Sequence, residues 1–184
     1  DWSSDVCSSD LTVTVTPASA TLHAGHSQAF SASGAGAAGG VVWSVNDVLG
    51  GDAAVGTVTA SGVYNAPVAV LATTPVTLRA RSVSTPTASG TAAVTVLPLP
   101  SITSATPTSI PTGSFTLTVT GVGFMPGAVV SFDGLPLTTT YVSATQLVAT
   151  GSATTPKASV PVGVATPDGE RSNVVSVAVV SAPA

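Results

Sequence analysis

The chain has 184 residues, of which only 7% are charged, and four Lys and Arg stand against eight Asp and Glu for a formal net charge of −4. So few scattered cations exclude a phosphate-tracking nucleic-acid protein, and a single cysteine excludes a disulfide framework or a thiolate metal site. Thr, Val, Ala, Ser and Gly dominate while long helix formers are scarce, so the class is all-β, with enough apolar content (44%) for a real core.

Residues 1–11, DWSSDVCSSDL, do not read as native protein. They resemble the translation of a sequencing-library adapter, and are set aside from the fold as an artefact expected to be disordered. Asp1, Asp5 and Asp10 leave with them, as do Trp2 and Cys7. The remainder is cysteine-free and nearly neutral: Arg79, Arg81, Lys157 and Arg171 against Asp47, Asp52, Asp133, Asp168 and Glu170, or 4 − 5 = −1. No apolar run approaches the ~20 residues of a membrane helix, so direct membrane insertion is not expected.

From residue 12 onward strand signals recur at short spacing between Gly and Pro punctuation, the pattern of a sandwich. Residues 12–16 alternate, placing Val13 and Val15 inward, and Pro17 ends the strand. A turn at 24–26 leads into 28–33 with Phe30 inward, a Gly/Ala loop spans 33–40, and 41–45 carries Trp43. A polar loop (46–52), a short strand (56–59) and a turn at Ser61-Gly62 follow. Residues 76–83 direct Val76, Leu78 and Ala80 inward and Thr77, Arg79 and Arg81 outward, and 90–97 closes a set of about seven strands. Leu97-Pro98-Leu99-Pro100 reads as a stiff Pro-rich linker (98–100) between two domains, 12–97 and 101–180, with 181–184 a C-terminal tail.

The second domain opens with a strand at 101–105 ended by Pro107. The cleanest alternation in the chain follows at 113–121, with Phe115, Leu117 and Val119 against Thr116, Thr118 and Thr120. Strand 128–132 ends in Phe132 and an Asp133-Gly134 turn, both residues tolerating positive φ. Strands at 138–142, 146–151, 158–165 and 173–180 complete the domain, the last two joined by a Pro167-Asp168-Gly169 turn. Pro161 conflicts with a central strand and implies an edge or an outward-aimed backbone nitrogen. The expected structural core is Phe30, Trp43, Leu78, Phe115, Leu117, Val119 and Phe132.

The fold class is thus two tandem immunoglobulin-like β-sandwiches. In residues 12–97 the segments VTVTPASATLHAGHSQAF, VVWSV, GTVTASGVYNAP and VTLRARSV resemble the bacterial Ig-like group 2 (BIG2) family. That resemblance makes Trp43 the core tryptophan and gives Gly62 and Tyr64 to the turn and strand after it. In residues 101–180, PSITSATPTSIPTGSFTLTVTGVGFMPGAVVSFDG, LTTTYVSATQLVA and a closing segment from Gly169 to Val179 resemble the IPT/TIG family. The two resemblances imply extracellular or cell-surface placement in a larger bacterial protein, with neighbouring domains of the same polypeptide as partners and a surface protein or glycan as further candidates. IPT/TIG domains also stand beside catalytic domains of secreted carbohydrate-active enzymes, and some serve in transcription factors.

Chemistry is hard to find. His23 and His26 have no third ligand near them in sequence and read as solvated turn residues. Asp47 and Asp52 are too few for a calcium loop, and Asp133, Asp168 and Glu170 read as turn residues. Arg79 and Arg81 read as outward, solvated charges, although a small anionic contact is conceivable. No Ser/His/Asp order, no Cys nucleophile and no Asn-x-Ser/Thr sequon is present after residue 11, so no catalytic, metal or cofactor residue is assigned. Tyr64 and Tyr141 are the candidate exposed aromatic platforms for a ligand. The expected function is a non-catalytic spacer or adhesion module of a secreted or cell-surface protein. The alternative is an accessory, carbohydrate-binding module of a secreted enzyme.

Overall fold

Strict alternation of apolar and hydroxylic residues builds the sheets, because successive strand side chains point to opposite faces and only one face of each sheet is buried. The computed structural model of the protein describes residues 11–182 and is all-β, folding as two Ig-like sandwiches that divide between Leu97 and Pro98.

The first unit contains β1 (Thr14–Thr16), β2 (Ser19–His23), β3 (Ser27–Ala29), β4 (Ser31–Ser33), β5 (Val41–Val45), β6 (Val48–Leu49), β7 (Gly51–Asp52), β8 (Gly56–Val58), β9 (Val63–Asn65), β10 (Thr74–Ser82) and β11 (Ser89–Leu97). One sheet has the order β2-β11-β10-β5-β6; β3-β9-β8-β7 and the pair β1-β4 complete the unit. β2 was not expected as a strand, nor were the two-residue strands β6 and β7 inside the polar loop. β2 adds in parallel to β11, a pairing of residues more than seventy apart that local alternation does not reveal.

Val13, Val15, Phe30, Trp43, Val45, Val76, Leu78, Ala80, Ala92, Val94 and Val96 are all buried in one apolar cluster. Leu11, grouped by its sequence with the adapter-like segment, packs half-buried against that cluster; residues 1–10 lie outside the described residues. Gly62 shows how closely the unit is assembled. It has φ +86°, its carbonyl accepts the Phe30 amide at 2.9 Å, and a β-carbon there would sit 2.3 Å from the Phe30 carbonyl oxygen and 3.0 Å from the Trp43 ring. Only glycine lets the turn close over the tryptophan.

The second unit contains β12 (Ser101–Thr106), β13 (Ser109–Pro111), β14 (Gly113–Val122), β15 (Val129–Phe132), β16 (Leu135–Pro136), β17 (Thr138–Ser143), β18 (Gln146–Ala153), β19 (Lys157–Ala165) and β20 (Val175–Val180). Sheets β12-β14-β18-β17 and β13-β20-β19-β15-β16 enclose a core that includes Phe115, Leu117, Val119, Phe132, Leu147, Val160, Val162 and Val164. The Asp133-Gly134 turn forms as its chemistry dictates: φ is 54° and 81°, and Phe132 pairs with Leu135 across a two-residue loop. Ala182, in the expected tail, donates its amide to Thr112 Oγ1 at 3.1 Å; residues 183–184 lie outside the described residues.

Pro161 does not mark an edge. β19 lies between β20 and β15, with Pro161 opposite Ser176. Its carbonyl accepts the Asp133 amide at 3.0 Å, one residue past Phe132↔Val162, the last pair of the β15 ladder. The side on which proline lacks a donor therefore falls at the hairpin turn, where no ladder bond is lost.

Both units switch sheets at a proline. β1 pairs antiparallel with β4, the chain passes Pro17, and β2 joins β11 in parallel in the other sheet. β12 pairs antiparallel with β14, the chain passes Pro107, and β13 joins β20 in parallel. Proline cannot donate to a ladder, so each ends one pairing and frees the chain to cross. In the second unit Asn173 pins the start of β12, ahead of the crossing: its Oδ1 accepts from the Ile102 amide (2.7 Å) and Ser101 Oγ (3.1 Å), and its Nδ2 donates to the Ile102 carbonyl (2.9 Å).

Trp43 is 5% exposed at the centre of the first core. Trp43→Ala is expected to lower the stability of this unit by ~3–5 kcal/mol, the usual cost of truncating a buried aromatic. Urea denaturation followed by circular dichroism checks this; an unchanged midpoint would mean that the tryptophan does not hold the core.

Candidate functional site

One surface feature built from side chains lies in the second unit, beside edge strands β16 and β17 of opposite sheets. A groove of ≈ 430 Å³ opens there, lined by Phe132 and Asp133, Leu135 to Thr138, Thr150 to Thr155, Lys157, Val160 and Val179. A shallower depression bounded by Ser114, Phe115 and Thr116 adjoins it through Thr138, Thr150 and Gly151. Phe115 and Phe132 pack at 4.8 Å between centroids, tilted by 44°, and reach these two depressions from below. Gly151 keeps the space open: a β-carbon would lie 2.6 Å from Leu137 Cδ2 and 3.0 Å from Phe115 Cζ. The ionisable residues of the lining, Asp133 and Lys157, pair with each other through Oδ2 and Nζ. Thr139 ties the start of β17 to the opposite sheet, accepting from the Val130 amide at 3.0 Å and donating to the Leu137 carbonyl at 3.0 Å. The surface offered to a ligand is therefore hydroxylic and apolar, with its charges already matched.

The two tyrosines do not form a platform. Tyr64 is fully buried, a correction to its expected exposure, and its Oη donates to the Val55 carbonyl at 2.8 Å. A buried phenol with one backbone partner is a core residue. Tyr141 is half-buried against the second core, in a different unit from Tyr64. His23 is buried at the end of β2 rather than solvated, and its ring meets His26 edge-on at 6.1 Å. Among the described residues no group of three or more His, Cys, Asp or Glu is placed to hold a metal ion.

The loop carboxylates are occupied locally. Asp52 Oδ1 accepts the amides of Ala54 (2.8 Å) and Val55 (3.0 Å), and Asp47 pairs with Arg79 at 3.0 Å. Asp168 accepts from Thr166 Oγ1 at 2.5 Å inside the 166–170 turn, where Gly169 has φ +99°. Arg79 and Arg81 share the outer face of β10 in the first unit and border a separate cleft. All seven expected core residues are buried. The asparagine that fastens the second unit, Asn173, was legible only as part of the closing segment of the second resemblance, because nothing in its local pattern announces a partner 71 residues away.

The fold defines a protein of the tandem Ig-like β-sandwich class. An IPT/TIG domain is found at residues 100–179. No curated protein matches the chain. Among solved structures it is similar to the TIG domain from human Nuclear factor of activated T-cells, cytoplasmic 4, at 22% identity over 45% of this chain and 89% of that one, TM-score 0.39. It is similar to SGBP-B from a complex xyloglucan utilization locus in Bacteroides uniformis at 22% identity over 66% of this chain, TM-score 0.37, and spans 34% of that protein. A third likeness is to fibronectin(III)-like modules of Clostridium thermocellum CbhA, at 15% identity over 92% and 94% of the two chains, TM-score 0.36.

Burial strips water from the Tyr64 phenolate and pushes its pKa up from 10.0 to about 12. The unfolded tyrosine loses its proton near 10 while the folded one keeps it, so the unfolded state binds fewer protons across this window and stability falls as pH rises from about 10 toward about 12. Tyr64→Phe is expected to remove that alkaline loss, at a cost of about 1 kcal/mol at neutral pH for the missing hydrogen bond. Denaturant midpoints measured across the alkaline range check both; an identical alkaline decline in the variant would show that Tyr64 does not cause it.

Proposed function

We propose that this chain is a non-catalytic structural spacer or adhesion module of a larger bacterial secreted or cell-surface protein, with the first unit of BIG2 type and the second the IPT/TIG domain. The observation that carries the reading is the state of the charges in the main groove. Asp133 and Lys157 are bound to each other, and the rest of the lining is hydroxylic or apolar, so the groove holds no free acid–base pair at which a proton could be taken and returned. Sparse charge and a hydroxylic surface suit a module whose work is to hold and present neighbouring domains. The same groove favours one second reading, an accessory carbohydrate-binding module of a secreted enzyme, because a hydroxyl-lined trough beside apolar side chains matches the two faces of a sugar ring.

Two measurements separate them. The chain is expected to show no turnover on a panel of ester, glycoside and peptide substrates and no binding to arrayed neutral polysaccharides. Binding to a neutral glycan that is lost on filling the groove with Gly151→Leu would establish the accessory role, and turnover would end both readings. Sequencing the parent reading frame is expected to find further Ig-like domains and a native codon run in place of residues 1–11; a catalytic domain next door would favour the accessory role.

A further inference from the structure

The first unit carries a second, differently charged cleft. β10 lies between β11 and β5. On its outward face Arg79 and Arg81 stand two residues apart, about 6.6 Å along the strand, opposite Ser44 and Val42 of β5. Leu49 of β6 pairs with Ser44 and, 71% exposed, closes the far side. These residues and Asp47 line a cleft of ≈ 190 Å³.

The arginines are not equivalent. Asn46 clamps the β5–β6 turn to β10, donating its amide to the Thr77 carbonyl (2.9 Å) and accepting the Thr77 amide at Oδ1 (2.8 Å). That clamp holds Asp47 at φ 65° against Arg79 Nη1, 3.0 Å away. Arg79 Nε is buried without a hydrogen-bond partner, so part of this guanidinium's donor capacity is unused. Arg81 is exposed, and no carboxylate among the described residues pairs with it. Two guanidiniums and one carboxylate leave the cleft with one net positive charge, in a protein holding only four Lys and Arg in all.

We propose that this cleft binds the carboxylate of a sugar acid, a uronate unit of an acidic polysaccharide. Guanidinium groups recognise carboxylates through paired N–H donors. Ser44 offers a hydroxyl for a ring substituent, and Val42 and Leu49 offer an aliphatic wall for the C–H face of the ring. An extended acidic peptide fits less well. Strand-type peptide recognition needs the open backbone of a sheet edge; β10 is paired on both sides, and the edge strand at the cleft, β6, is only two residues long. The proposal rests on the adhesion reading above and names its partner class.

The test is a titration of the full, isotope-labelled chain with trigalacturonate, followed by amide NMR shifts. Shifts are expected at Ser44, Arg79 and Arg81, with none from neutral galactotriose. Raising ionic strength from ~0.01 M to ~1 M, which shortens the Debye length from about 30 Å to about 3 Å, is expected to abolish them. Arg81→Gln, an exposed change that leaves melting unaltered, is expected to weaken binding about tenfold or more. Asp47→Asn, which removes the competing carboxylate, is expected to strengthen it. Binding unchanged in R81Q, equal binding of galactotriose, or absence of any shift at millimolar trigalacturonate would overturn the site. Equal binding of polyglutamate would overturn the sugar assignment. Turnover of trigalacturonate would instead overturn the non-catalytic reading beneath it.

Discussion

Strand register is the constraint on which this protein depends. With 7% charged residues and no disulfide among the described residues, the free energy available to fold it comes mainly from burying apolar side chains between paired sheets, roughly 25 cal/mol for each Å² removed from water. Val and Leu sit on one face and Thr on the other, so a slip of one residue in β10 would turn Val76, Leu78 and Ala80 out and Thr77, Arg79 and Arg81 in. The same holds for Phe115, Leu117 and Val119 in β14. Everything else positions these rows: prolines end the first ladder of each unit, Gly62 lets a turn close on Trp43, and Asn173 fastens the start of β12.

Register also decides where charge is displayed. Because β10 must bury its even-numbered residues, Arg79 and Arg81 are forced onto one outer face, and the Asn46 clamp then brings Asp47 to the first of them. Because the Asp133-Gly134 turn reverses the chain in two residues, Asp133 arrives where Lys157 begins β19, and the groove's charges cancel. One unit thus presents a neutral trough and the other a cleft of net positive charge, both as by-products of how strands alternate and turn.

Much of this was legible in the sequence because it is local. Alternation placed the core residues, and a two-residue turn with positive φ was written in Asp133-Gly134. What was missed is non-local. β2 and β13 are short, weakly alternating and held by parallel partners far along the chain, so their residues carry no signal of pairing. Tyr64 follows a glycine turn and reads as surface, yet the Val55 carbonyl satisfies its hydroxyl and allows full burial. Pro161 implied an edge or an outward-aimed nitrogen; β19 is central, and the hairpin opposite Pro161 ends one residue too soon to need its missing donor.

Native-state hydrogen exchange tests this dependence on the central ladders most directly, since amides open with the stability of the element that holds them. The slowest amides are expected in the β10–β11 ladder of the first unit and the β14–β18 ladder of the second, with the short edge strands β6 and β16 exchanging early. Slowest exchange in the sheet-switching strands β2 and β13, or protection spread evenly over every strand, would contradict it.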